Sequence, residues 1–117
     1  MTSTTAFRIS AVFGFLAVAL GAFGAHTYKN VLAYHGTTVV WQTAVLYHLV
    51  HSLALLLVAS REPLRIWAWG LFAAGVVIFS GSLYVLAVTN VKMLGAITPI
   101  GGVCLLGGWL VLALKSK

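Results

Sequence analysis

Between Leu64 and Val88 the chain reads LRIWAWGLFAAGVVIFSGSLYVLAV. Beyond Arg65 this run carries no charge, and its hydroxyl groups are confined to Ser80, Ser82 and Tyr84. A helix rises about 1.5 Å per residue, so the run exceeds the roughly 20 residues that cross a hydrocarbon core of about 30 Å. A helix on the surface of a soluble protein needs a charged face, and this one has none. The run reads as a transmembrane helix.

Three more runs have the same character, from about Phe7 to Ala25, Val39 to Ser60 and Leu94 to Leu114. Arg8 and Arg65 lie at span ends, from where a long cationic side chain can reach the interface. The first run resembles a secretory signal, with Arg8 ahead of it and Ala22-Phe23-Gly24 near its end. It is longer than the apolar core of such a signal, so it is read as a retained span. The expected fold is all-α: an integral membrane protein, an antiparallel bundle of four transmembrane helices, with residues 1–117 forming a single transmembrane domain.

Composition agrees. Of 117 residues, 62% are hydrophobic and 7% charged, whereas a soluble domain solvates its surface with about a quarter charged residues. Membrane lipid is therefore the solvent for most of the exterior. The net charge of +6 comes from seven Lys/Arg against one acid, Glu62. The basic residues stand singly or in pairs between apolar runs and form no stripe, which excludes nucleic acid as a partner. Cations at span ends instead set topology and meet anionic head groups. Arg8, Arg61, Arg65, Lys115 and Lys117 fall on the side of the termini, and Lys29 and Lys92 on the other. The expected orientation has both termini in the cytoplasm. Trp41, Trp67, Trp69 and Trp109 fall near span ends and read as interfacial anchors.

Short connections, Arg61-Glu62-Pro63 and Thr89 to Met93, make consecutive spans antiparallel neighbours. The longer one, His26 to Thr38, has the apolar residues for an interfacial turn of helix. Membrane helices associate by close backbone approach, so rows of small residues mark contact faces. Gly14, Ala17, Gly21 and Ala25 form one on the first span, and Gly70, Ala74, Val77, Gly81 and Tyr84 one on the third; the fourth carries Gly95, Gly101, Gly102, Gly107 and Gly108, with Cys104 and Gly108 spaced likewise. Through such faces the chain is expected to meet a second copy of itself or other membrane proteins. Pro99, about a turn inside the fourth span, predicts a kink. Cys104 is the only cysteine and cannot form an intrachain disulfide.

Polar groups within a membrane are costly and need a reason. The second span holds Tyr47, His48 and His51, the third Ser80, Ser82 and Tyr84, and the fourth Thr98. Counted along the helices, these gather with His26 in the half of the bundle away from the termini. Two readings stay open: a hydrogen-bonded knot that fixes helix register, or a cavity that binds a small molecule, ion or proton. His51, deepest on the polar face, is expected to bond Ser80 or Tyr84. A catalytic metal site wants a third ligand beyond His48 and His51, and usually a carboxylate nearby; Glu62 is on the opposite side. Haem ligation by His26 and His51 would need equal depth. A serine nucleophile lacks a carboxylate to orient its histidine. No metal, no cofactor and no catalytic residue is assigned.

The chain resembles the YgdD/YwdK-like small membrane proteins at four places, one per span. These are Gly21-Ala22-Phe23-Gly24-Ala25-His26; Trp41-x-Thr43-Ala44 with Tyr47-x-x-x-His51; Phe79-Ser80-Gly81-Ser82-Leu83-Tyr84; and Thr98-Pro99-Ile100-Gly101-Gly102 with Gly108-Trp109. The resemblance implies four spans in a bacterial cytoplasmic (inner) membrane and supplies no reaction. Its matched polar set is His26, Tyr47, His51, Ser80, Tyr84 and Thr98, which leaves His48 outside. The leading reading is a non-enzymatic protein that acts by assembly within the bilayer; the alternative is a binding or transport module built on the matched set.

Overall fold

Thr2 starts the first helix by accepting the Thr5 backbone N–H on its hydroxyl at 3.1 Å, and α1 then runs over Ser3–Ala25. The computed structural model describes residues 1–114; the Lys115 and Lys117 charges counted above lie outside the described residues. The connection after α1 contains a short helix, α2 (Lys29–His35), which ends at Gly36. Gly36 has φ 67°, the left-handed conformation that glycine adopts without a Cβ penalty. Two long helices follow, α3 (Thr38–Ala59) and α4 (Ile66–Thr89). A 3-10 turn, Lys92–Ala96, leads into α5 (Thr98–Leu114). No strand occurs among the described residues. Among the described residues, four segments are long and apolar enough to cross a membrane: Ser3–Ala25, Thr38–Ala59, Ile66–Thr89 and Lys92–Leu114.

Pro99 does not kink a helix. The 3-10 turn takes up the start of the fourth span, so Pro99 is the second residue of α5. In a first turn the N–H that proline lacks has no helical partner to lose, and its fixed φ suits a helix start.

The long helices pack in chain order, α1 on α3, α3 on α4 and α4 on α5, while α1 and α5 do not pack on each other. The bundle is thus an open succession with α1 and α5 at its edges. One apolar core joins Ala6, Leu55, Val58, Trp69, Phe72, Val76 and Leu105 from all four long helices, in the half near the N-terminus. A smaller one, Leu32, Trp41 and Ala87, lies beneath α2. Outward positions are large and apolar: Phe15 is 72% exposed and Leu106 71%. In water such a surface would aggregate; in lipid it is solvated. At the terminal side, the Ser3 hydroxyl donates to the Glu62 carboxylate and ties α1 to the α3–α4 loop.

Glycine sets how closely α4 and α5 approach. A Cβ on Gly101 would run into the Phe79 backbone, one on Gly108 would sit 2.7 Å from the Phe72 ring, and one on Gly75 would sit 2.5 Å from Leu105. On α1, Gly24 leaves room for the Trp41 indole, and a Cβ on Gly21 would sit 3.4 Å from Val45. The row on the third span is a correction. Gly70 and Gly81 meet nothing within 4 Å, and Ala74 and Val77 are exposed. The buried positions of α4 are Ala68, Trp69, Phe72, Gly75, Val76, Ser80, Ser82 and Ala87, so the row from Gly70 to Gly81 points away from the chain's other helices, while Tyr84 at its end turns inward to His48. The physical reason is that α4 is apolar all round, and apolarity does not say which side meets protein.

Gly101→Ala should therefore lower unfolding stability in detergent by about 1–3 kcal/mol through overpacking against α4. Gly81→Ala should stay within about 0.5 kcal/mol of the parent. Equal losses in thermal denaturation would mean that the α4 faces are wrongly assigned.

Candidate functional site

The polar groups form pairs across helices. Ser80 of α4 donates its hydroxyl to the Ala44 carbonyl of α3 at 2.8 Å. One turn further along each helix, the Tyr84 hydroxyl and His48 Nδ1 share a bond of 2.8 Å. Both pairs link positions 36 residues apart; because the helices are antiparallel, the two pairs do not join residues at the same relative depth, and the long Tyr84 and His48 side chains span the difference. Ser82 and Thr98 are joined at 2.6 Å, fastening α4 to the start of α5.

His51 is buried, at 5% exposure. Its Nδ1–H donates to the Tyr47 carbonyl at 2.8 Å, which leaves a lone pair on Nε2. That nitrogen accepts the Trp109 indole N–H at 3.0 Å. An indole can only donate, so the two bonds assign the ring to its neutral Nδ1–H tautomer. The rings of Phe72 and Trp109 pack around it at centroid distances of 5.6 and 5.8 Å.

This arrangement differs from the pairing expected from depth. His51 bonds neither Ser80 nor Tyr84: Ser80 takes main chain, Tyr84 takes His48, and His51 turns toward α5. His48 and His51 are three residues apart, about 60° around the helix, and that rotation sends them to different neighbours. Tyr47 lies beside His51, their rings parallel within 11° at 6.0 Å. It is 41% exposed and lines a groove of about 420 Å³ with His51, Phe79, Pro99 and Trp109. His26 stands exposed at the end of α1 and joins none of these bonds. The structure thus brings Tyr47 to His51 and places Ser80, Tyr84 and Thr98 in separate pairs, with His26 apart.

The tryptophans differ from their reading as interfacial anchors. Trp41 and Trp69 are buried, at 4% and 6% exposure. Trp41 donates to the Leu20 carbonyl of α1 at 2.9 Å, and Trp69 to the Ser10 hydroxyl of α1 at 2.9 Å. Trp67, by contrast, is 77% exposed and free to meet the interface. Ser10 passes the bond on to the Ala6 carbonyl at 2.7 Å. His35, the last residue of α2, and Thr37, just after Gly36, both donate to the Ala87 carbonyl, at 3.2 and 2.7 Å. That carbonyl belongs to the last turn of α4, where helical partners run out. A tryptophan near a span end has two uses, and position alone does not separate an anchor from a buried donor. The available signal was Trp41 and Trp109 falling within the same short motifs as the polar residues.

Among the described residues, every buried side-chain nitrogen or oxygen has a hydrogen-bond partner. No three of the His, Cys, Asp and Glu residues among them come together in a metal-binding group. The arrangement can hold register between helices. A double-mutant cycle of His51→Phe with Trp109→Phe should give a coupling of about 0.6–1.7 kcal/mol, the range for bonds between membrane helices. Tyr84→Phe with Trp109→Phe should be additive within about 0.5 kcal/mol. Additivity of the first pair would remove the bond between α3 and α5.

The family model described as "Protein of unknown function (DUF423)" matches residues 20–102, a stretch that takes in the end of α1, all of α2, α3 and α4, and the start of α5. The chain is 44% identical over 112 residues to a UPF0382 membrane protein of Staphylococcus epidermidis, covering 92% of this chain and 91% of that one. It is 41% identical over 115 residues to the UPF0382 membrane protein YwdK of Bacillus subtilis, covering 92% of each. It is 40% identical over 126 aligned positions to the UPF0382 inner membrane protein YgdD of Escherichia coli, covering 100% of this chain and 95% of that one. No solved structure matches. With four membrane-spanning segments, the polar pairs among them and this likeness across the chain, the protein is a multi-pass membrane protein and belongs to the DUF423 family.

Proposed function

We propose that the protein is a non-enzymatic component of a bacterial inner membrane that acts by assembly within the bilayer, pairing with a second copy through the outer face of α4. The observation that carries this reading is the row Gly70, Ala74 and Gly81. It faces outward on a central helix, where a methyl group at Gly70 or Gly81 would meet no atom of another helix within 4 Å. Small residues let helix backbones approach closely where lipid gives no hydrophobic drive. Beside Gly70 a groove of about 450 Å³, lined by Ile66, Trp67, Trp69 and Leu71, widens the same face. A two-fold pairing uses one patch on both copies and needs no second surface.

The alternative, a module that binds or conducts a small molecule, ion or proton through Tyr47, His51, Ser80, Tyr84 and Thr98, has less support. Buried polar atoms already engaged with one another offer a solute no unsatisfied partner. The inner-membrane placement follows the name of the Escherichia coli relative. The orientation, with both termini cytoplasmic, follows the excess of basic residues on their side.

With Cys104→Ser as background, Ala74→Cys should form a disulfide-linked dimer in membranes under mild oxidation. Val103→Cys, on the exposed side of α5, should not. Gly81→Leu should suppress the Ala74→Cys cross-link without lowering the thermal stability of the monomer. Equal cross-linking at both positions, or none, would overturn pairing through α4. A reporter fused after Lys117 should report a cytoplasmic location and one inserted at Asn30 the opposite side. A C-terminal reporter active outside the membrane would reverse the orientation.

A further inference from the structure

A groove of about 480 Å³ runs between α1 and α3 beneath α2, remote in sequence from the α4 face and independent of the pairing proposed there. Its chemistry changes along its length. At the rim stand Lys29, Thr38 and Gln42; deeper, the walls are Gly21, Leu46 and Leu49. Thr38 opens α3 and Leu49 lies eleven residues on, about 16 Å at the helical rise. Half of a hydrocarbon core is about 15 Å. The groove therefore extends from one interface to about the midplane, the depth of one leaflet.

Its floor is fixed. The Trp41 indole lies across it, held by the bond to Leu20 and seated where Gly24 has no side chain. Leu46 is 59% exposed, so the groove opens sideways toward lipid. At the rim Lys29 has no acid to pair with, because the only Asp or Glu of the chain is Glu62, bonded to Ser3 at the opposite end. An anion for Lys29 has to come from outside the chain.

We infer that this groove binds one anionic phospholipid from the leaflet on the α2 side, its phosphate on Lys29 and Gln42 and an acyl chain along Gly21, Leu46 and Leu49. The occupant follows from charge complementarity and length together. A lysine near the membrane surface attracts anionic lipid, Gln42 adds an amide donor, and the apolar segment matches a chain that stops at the midplane. A zwitterionic lipid would fit the walls and lose the net charge attraction.

The test uses the full chain purified in dodecyl maltoside, with thermal denaturation followed as lipid is added. Long-chain phosphatidylglycerol should raise the midpoint saturably, and phosphatidylcholine of the same chains should need severalfold more lipid. Lys29→Gln should weaken the phosphatidylglycerol response about fivefold, from the roughly 1 kcal/mol that one surface lysine contributes. Lys29→Arg should keep it, and Lys92→Gln, removing the other cation on that side, should leave it unchanged. Leu46→Trp, which fills the groove from its open side, should abolish saturation. Inorganic phosphate alone should give no shift, and dihexanoyl phosphatidylglycerol a weaker one. Equal responses to the two head groups would overturn the proposal. So would equal losses for Lys29→Gln and Lys92→Gln, which mean diffuse surface charge, or a full response to phosphate, which means an anion site without a chain.

Discussion

A bilayer interior offers no hydrogen-bond partner, so every donor and acceptor that a helix brings into it must be answered from within the protein. The rest of this structure follows from how that demand is met. Three indole N–H groups do much of it. Trp41 ties α3 to α1, Trp69 ties α4 to α1, and Trp109 ties α5 to α3. The last two reach across an intervening helix, since α1 packs on α3 and not α4, and α5 packs on α4 and not α3. Backbone contacts alone would allow the helices to lie as a flat row. The two diagonal bonds draw that row into a bundle, each contributing about 0.6–1.7 kcal/mol and, more to the point, a direction.

Direction matters because apolar burial supplies little of it in lipid. A leucine side chain loses almost nothing by facing hydrocarbon in place of a neighbouring helix, so contact faces are chosen by shape and by hydrogen bonds. Gly75, Gly101 and Gly108 provide the shape between α4 and α5, where added methyl groups would overlap Leu105, Phe79 and Phe72. The polar pairs supply the register. Between α3 and α4, Ser80 with Ala44 and Tyr84 with His48 fix two successive turns. The half of the bundle near the termini has mainly packing, centred on Leu55, Phe72 and Val76. Its polar exceptions are Trp69 with Ser10, and Trp109 with His51 where both rings pack on Phe72.

Length and composition made the spans legible, because the bilayer imposes both on the primary structure. The rotation of each helix was not legible in the same way. A helix that is apolar on every side has no amphipathic stripe to show which face turns inward. Gly81 and Ser80 are neighbours in sequence and about 100° apart on the helix; one faces outward and the other is buried. The same angular ambiguity placed His51 against α4 when its partner is Trp109 on α5. Depth along the axis can be counted from sequence, and azimuth cannot. Pro99 was misread for a different reason: the 3-10 turn ahead of it moved the helix start to Thr98, so a residue counted as interior became a first-turn residue. Among the matched polar residues, His26 shared a motif with Gly21 and Gly24, but only the glycines take part in packing.

Helix α2 joins two parts of the molecule that the sequence keeps apart. Lys29 at its start stands on the rim of the α1–α3 groove, and His35 at its end donates to Ala87 in the last turn of α4. The two residues are separated by six positions, about 9 Å of helix, too short a segment to bend between them. Thr37 adds a second bond to the same carbonyl just before α3 begins. The terminus of α4 is therefore closed by the segment that also borders the groove. That connection explains why a seven-residue helix, too short to persist alone, is kept in place: Leu32 is buried at 1% exposure beside Trp41 and Ala87, and the bonds to Ala87 hold the far end. A surface helix with an anchored end and a cationic start has its position set by α4 and its charge presented to the lipid beside α1 and α3.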